Sequence, residues 1–422
     1  MSAILTSQMV TRRALAILHN KLNFIGTINR QYDESFAKEG AKIGNQLKIR
    51  LPNQYITRTG QVATIQPTQE NYTTLVMATQ RGVDVDFTSQ DLTLSIDDFS
   101  ERILEPAMAQ LSSTIEADVF GSAGLAVAQE YGDADTLATF TSDPMRYFLQ
   151  AKAILNKALT PKDNKRYANI NSPTMAALVY GNKALFQDSS AISEGYLEGI
   201  TGRMSGLTFL ENELVGTFTG PNTSAAHFEI NASNISGSTL TVQVASGTVT
   251  QIPKGSVVTI AGVYDIHPET KASYPNLKQF VVTADSGAAP TSLSIDPPII
   301  PVGGVVGTYT AGMANCSNVP SNGADVWIAG SKIASTDLQT MSAPTLVNNL
   351  VYHKDFCTFV TADLYMPKGG MELAAREVYD GVSMRLLKGF DIINDVQISR
   401  FDVLYGFKVI RPQLACRILI QN

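Results

Sequence analysis

Apolar residues recur along this chain with two different periods, and the points where one gives way to the other divide it into segments. Residues 8–31 set Val10, Leu15, Ile17, Leu18 and Leu22 among basic positions, the spacing of an amphipathic helix. From Gln46 to about Val85 the pattern changes to short alternating runs, QLKIRLP and YTTLVMATQ, around a stretch rich in Thr and Gln, which predicts a long β-hairpin or extended loop. In SIDDFSERILEPAMAQLSSTIEADVFGSAG, Phe99, Ile103, Ala107, Leu111, Ile115 and Val119 recur every four residues. That spacing predicts one long helix, with Ser95 and Asp98 as a capping box and Pro106 as a kink or a late start.

Residues 142–220 alternate the two patterns, with helices at PMRYFLQAKAILNKAL and PTMAALVYGNKALFQ around a strand at YANI, an α+β unit. At Gly220 the character changes. From there to about Met341 the chain is dense in Thr, Ser, Gly, Val and Ile, with period-two runs such as STLTVQVASG, GSVVTIAGV and KQFVVTAD bounded by Gly, Pro and Asn. The earlier style resumes at HKDFCTFVTADLYM, so the all-β stretch reads as an insertion in a mixed domain. At the C-terminus Phe401, Val403, Tyr405, Phe407 and Val409 share one parity, and Leu414, Cys416, Ile418 and Ile420 resume after Arg411-Pro412. These residues predict two strands joined at a turn, with almost no tail beyond them.

At 422 residues the chain exceeds one ordinary core, so two or three folding units are expected. A hydrophobic fraction of 44% against 17% charged residues excludes disorder and suits a surface partly covered by neighbouring subunits. The formal net charge of −6 gives no general attraction to nucleic acid or anionic membrane. Its distribution says more. Residues 1–60 carry Arg12, Arg13, Lys21, Arg30, Lys38, Lys42, Lys48, Arg50 and Arg58 against three acids, whereas residues 84–101 carry Asp84, Asp86, Asp91, Asp97, Asp98 and Glu101 against none. A basic arm and an acidic stretch can meet across a subunit boundary, with Arg12, Arg13, Arg50, Arg58, Asp84 and Asp86 as the assembly contacts; solvated faces without a partner explain the same charges.

Chemistry is sparse. Three widely spaced cysteines with no C-x-x-C fit a reducing compartment rather than a disulfide framework or zinc site. No apolar run is long enough to span a bilayer, and the arginines of MSAILTSQMVTRRALAIL follow the first apolar residues, the wrong order for a secretory signal. His19, His227, His267 and His353 are far apart and in no metal-ligand arrangement; no phosphate-binding loop, dinucleotide fingerprint or nucleophile elbow is present. The acidic set from Asp84 to Asp98 lacks the glycine and spacing of a calcium loop, and Asp97 with Asp98 suits a helix N-terminus instead. Trp327 in ADVWIAG reads as a packed strand residue. No enzyme, cofactor or metal is expected from these residues.

Two stretches carry a resemblance. AAREVYDGVSMRLLKGFDIINDVQISRFDVLYGFKVIRPQLACRI resembles the C-terminal portion of major capsid (coat) proteins of tailed bacteriophages, the short-tailed-phage type with an inserted β domain, and AGVYDIHPETKASYPNLKQFVVTAD is similar to the middle of that insertion. The resemblance implies an α+β chain with the tailed-phage major capsid, HK97-like fold. Its parts would be an N-terminal arm (1–35), an extended loop (36–80), a peripheral domain with a spine helix (81–132), an axial domain (133–219), an inserted β-barrel-like domain (220–340), and the axial return with peripheral strands (341–422). It also implies self-assembly through pentamers and hexamers into an icosahedral shell enclosing double-stranded DNA without sequence-specific binding, a scaffolding protein and a portal as partners, no membrane, and a place in the virion after assembly in the host bacterial cytoplasm. In one related coat protein an acidic N-terminal region receives a basic scaffolding partner; here the arm is basic, which speaks against that docking mode. The β-rich stretch alone would also suit a phage surface or tail adhesin.

Overall fold

The structure, a computed structural model, describes residues 7–32, 46–55, 57, 60–62, 65, 72–88, 104–181, 203–233, 235–304, 311–328, 339–367, 373–379, 381–391 and 396–421. The chain forms two compact units: Met1–Arg50, Tyr72–Phe120 and Cys357–Ile410 in the first, and Leu51–Asn71, Gly121–Phe356 and Arg411–Asn422 in the second.

The first unit is built on a six-stranded sheet whose hub is Val396–Val409, paired antiparallel with Thr79–Thr88, Val382–Asp391 and Cys357–Ala362. Leu373–Tyr379 adds to one edge, and Asn29–Tyr32 adds parallel to Cys357–Ala362. The N-terminal helix is Ser7–Lys21 and packs on Leu373–Tyr379 and Val382–Asp391. Thr11, Ala14, Leu15 and Leu18 are buried at i, i+3, i+4 and i+7, while Arg12 and Arg13 point outward, so the stripe that predicts the helix is the face it buries. The expected helix over 8–31 is too long. It stops at Lys21, a short turn of helix follows at Phe24–Thr27, and Asn29–Tyr32 is a strand, because backbone pairing with residues 358–361 overrides local propensity.

The expected hairpin forms from Gln46–Arg50 and Tyr72–Val76, in register from Gln46↔Val76 to Arg50↔Tyr72. Thr79–Thr88 then leaves it for the six-stranded sheet. The long helix is described over Glu105–Leu125, with Pro106 near the beginning of that span. Leu111, Ile115 and Val119 are buried as the four-residue spacing requires. The capping-box pair Ser95 and Asp98 lies outside the described residues.

In the second unit a mixed sheet runs in the order Glu130–Thr136, Ala415–Gln421, Thr345–His353, Arg166–Ile170, Leu207–Glu211, Arg203–Met204, with Thr217–Thr219 also paired to Thr345–His353. Helices Leu137–Ser142, Pro144–Lys157 and Ser172–Gly181 share its core, where Phe148, Leu155 and Leu178 pack with Val351 and Ile418. Pro144 opens its helix at the first turn, and Phe148, Ala151 and Leu155 follow at helical spacing.

The strands from Asn222–Ile230 to Gln339–Ser342 make a separate seven-stranded sheet. Six of its strands close, because Gly237–Gln251 pairs both with Ser292–Ile299 and with Asn222–Ile230. The result is a barrel whose interior is filled by Phe228, Leu240, Ile260, Phe280 and their neighbours. The chain enters after Thr217–Thr219 and leaves into Thr345–His353; these two strands pair, Thr219 opposite Thr345, so the ends of the barrel segment lie side by side. Where Asn222–Ile230 and Gly237–Gln251 slip register near Ser224, Gly247 has φ +77° and a Cβ there would lie 2.1 Å from the Ala225 carbonyl oxygen, so the bulge requires glycine.

The two C-terminal strands expected from the sequence form at Val396–Val409 and Ala415–Gln421, joined by a turn at Pro412–Leu414, and they enter different sheets. Ala415–Ile420 is buried on both faces, Cys416, Ile418 and Ile420 against the helices and Leu419 with Phe218 and Leu346, so alternation named only one of its two buried sides.

Candidate functional site

Of the charged residues singled out from the sequence, Arg12, Arg13, Arg50, Asp84 and Asp86 are exposed in the first unit. Arg50 lies opposite Tyr72, which is 57% exposed, and Asp86 lies opposite Ile398, which is 44% exposed. Arg12 and Asp84 form ion pairs within the chain. Arg12 Nε lies 3.4 Å from Glu377 Oε2, and Asp84 Oδ1 lies 3.9 Å from Arg400 Nε, both exposed pairs of little stabilising worth. Arg13 is exposed on the N-terminal helix. Arg58, like Asp91, Asp97 and Asp98, lies outside the described residues. The described members are thus spread over the helix, the hairpin and the sheet.

Sequence reasoning missed the groups behind them. Arg400 reaches from Asp84 inward to Asp402, whose side chain is 1% exposed, donating from Nε at 2.9 Å to each carboxylate oxygen. Arg385 donates to Asp402 Oδ2 at 2.6 Å from one Nη and to the Tyr365 carbonyl at 2.7 Å from the other. Burial alone would raise the Asp402 pKa, but the hydrogen bonds from Arg385 and Arg400 outweigh it and hold the carboxyl below its ordinary range. Gly82 faces Asp402 in register, and a Cβ there would meet the carboxylate and the Phe401 carbonyl at 2.6 Å, so the network needs glycine opposite. A second group forms where Tyr405 donates to Asp118 Oδ2 at 2.6 Å with Arg81 Nη2 3.8 Å from that oxygen. Burial first, and then the bond to Asp118, push the phenol pKa up, so it remains a donor. Glu116, 1% exposed, accepts from the Asn23 and Phe24 amides at 2.8 and 2.7 Å and satisfies the start of the Phe24–Thr27 helix.

In the second unit the last strand carries Arg417, fully buried, which donates at 2.9 Å to Glu130 and at 2.7 Å to the Gly255 carbonyl of the barrel segment. Burial raises the Glu130 pKa and lowers that of Arg417, against their mutual attraction. The Gln279 side chain bonds the Glu130 backbone in both directions, at 3.0 and 3.1 Å, so the barrel is tied to the mixed sheet by specific polar contacts. The three cysteines are free and buried; burial pushes the Cys316 thiol to about 11 and Cys357 to about 12, which makes them poor nucleophiles. These groups fix registers and dock segments. Among the described residues they do not converge on a cleft with a nucleophile and base.

Comparison with known proteins gives a family. The P22 coat protein family, described as P22 coat protein, gene protein 5, matches residues 6–419. No curated protein matches the chain. Among solved structures, one from Mycobacterium phage Che8 is 11% identical over 94% of this chain and 90% of its own, with a TM-score of 0.47. The bacteriophage PhiM1 mature capsid is 12% identical over 93% and 86%, also at 0.47. The CUS-3 coat protein I-domain is 28% identical over 27% of this chain and 95% of its own, at 0.18. These TM-scores lie below 0.5, and the family match carries the assignment.

Proposed function

The chain belongs to the P22 coat protein family and is a phage major capsid protein that forms the shell, and from that premise we propose that many copies close into an icosahedral head of pentamers and hexamers around double-stranded DNA. The single observation that carries the reading is the family match over residues 6–419, nearly the whole chain. A structural, non-enzymatic role follows the family, as does a place in the virion capsid. Assembly in the host bacterial cytoplasm, with a scaffolding protein and a portal, completes the proposal. A net charge of −6 suits a lining that confines DNA without gripping it.

Within that role the chain divides by function. Residues 1–35 serve as the arm and 36–80 as the extended loop, reaching neighbouring subunits; 81–132 form the peripheral domain with its spine helix, 133–219 and 341–422 the axial domain and returning strands, and 220–340 the inserted barrel. Arg12, Arg13, Arg50, Arg58, Asp84 and Asp86 make the intersubunit contacts, and Arg400 couples one of them, Asp84, to the buried Asp402. The barrel's self-contained core supports its folding as an independent domain. Residues 220–340 expressed alone are expected to give a β-rich circular dichroism spectrum and a cooperative melt; a random-coil spectrum would overturn the domain division while leaving the family intact. For the function itself, charge reversal at Asp84 and Asp86 is expected to leave a soluble, folded subunit that no longer forms shells in sedimentation. Normal shells from that variant would remove these residues from the interface.

A further inference from the structure

We propose that His227, Glu229 and Asp325 form a binding site for a divalent cation of the zinc type on the outer face of the barrel, where it joins two strands. His227 and Glu229 alternate with the buried Ala226, Phe228 and Ile230, so both face outward from one strand. Asp325 lies directly opposite Glu229 in the antiparallel register with Asp325–Ile328. Two carboxylates as cross-strand neighbours repel, and they do so where these strands share only two registered pairs. Among the described residues the one ion-pair partner of either carboxylate is His227, with Nε2 2.9 Å from Asp325 Oδ1 and Nδ1 3.8 Å from Glu229 Oε1. Among the described residues no lysine or arginine forms an ion pair with either carboxylate.

One ring nitrogen and one oxygen from each carboxylate lie within 4.8 Å of one another. Zinc bonds of about 2.0–2.2 Å place tetrahedral ligands about 3.4 Å apart, so side-chain movements of about 1 Å close the site without moving the strands. Gln243 on the next strand donates to Glu229 Oε2 at 3.1 Å, which leaves Oε1 for the cation and holds the carboxylate in place. One imidazole and two carboxylates suit zinc, cobalt or nickel, whereas calcium needs six to eight oxygens. The three side chains are half-buried, so water completes the coordination from the open side. The imidazole binds as the neutral ring, and any proton on its binding nitrogen leaves to solvent, so affinity falls as the pH drops.

The test uses the full chain, stripped with chelator and titrated with zinc chloride by calorimetry and in thermal scans. One saturable site and a higher melting temperature are expected, with affinity at least about tenfold weaker in Glu229→Gln and in His227→Ala. Glu229→Gln keeps the shape and relieves the carboxylate repulsion, so it is read even if His227→Ala does not fold. Absence of saturable binding by the wild type, or unchanged affinity in every variant that folds, overturns the proposal.

Discussion

The barrel and the two open sheets bury different things. The barrel's interior is apolar: Phe228, Leu240, Ile260 and Phe280 fill it, and its charged clusters, His227 with Glu229 and Asp325, and Lys278 with Asp265, stay toward the outside. The six-stranded sheet of the first unit buries Asp402 between two arginines, and the mixed sheet of the second buries Arg417 against Glu130. An apolar interior stabilises by area alone and tolerates changes that preserve volume. A buried charge is neutral or costly unless its partner is present, so it penalises any arrangement that separates the two. The comparison teaches that the barrel is held by its own core, whereas the open sheets are held to particular registers by buried charge pairs, Arg385 with Asp402 in one and Arg417 with Glu130 in the other.

The largest effect that would break this contrast is at Arg417. Arg417→Met is expected to cost about 3–5 kcal/mol in urea unfolding, because it strands Glu130, while Glu130→Leu with Arg417→Met together recovers most of the loss. A double variant as weak as the single one would show that the pair is worth its charge and not merely its matching. In the barrel, Leu240→Ala is expected to cost about 2–5 kcal/mol through a cavity, and Leu240→Met under about 1.5 kcal/mol. Equal costs would mean that its core is as particular as the charged pairs.

Asp402→Asn comes next, at about 1.5–3 kcal/mol, from lost charge-assisted hydrogen bonds. Because the folded Asp402 pKa lies below its ordinary value, its contribution is complete above about pH 4 and is lost as the pH falls through the folded value. The variant's stability should therefore fall less than the wild type's between about pH 4 and pH 2, measured by chemical denaturation; parallel curves would assign the acid limb to other groups. The smallest effect is Asp84→Asn, within about 0.5 kcal/mol for the isolated subunit, since its pair with Arg400 is exposed.

What could be read in advance follows the same division. The long helix and the barrel strands announce themselves because their partners are near in sequence or their apolar period is regular: Leu111, Ile115 and Val119 in one, the runs around Val242, Val258 and Val281 in the other. The buried charges do not. Arg417 and Asp402 fall at positions that alternation reads as outward, and what buries Arg417 is Glu130, 287 residues away. Glu116 reads as a solvated helix residue until it meets the Asn23 and Phe24 amides more than 90 positions earlier. The short helix and strand after Lys21 were hidden for the same reason, since their form depends on residues 116 and 358–361. Of the candidate contact residues, the sequence supplies charge and sign, but only the sheet register places Asp86 beside Ile398 and connects Asp84 to Asp402.

The central claim is that this subunit builds a shell of copies of itself, and electron microscopy of the purified full-length chain, with sedimentation alongside, tests it most directly. Closed shells or tubes are predicted for the wild type. The same measurement on a chain lacking residues 1–20, which removes a helix whose Ala14, Leu15 and Leu18 are buried within the subunit, should show no closed shells. Wild-type protein that stays a compact monodisperse particle at every concentration, or that forms fibres or spikes instead of shells, would contradict the account.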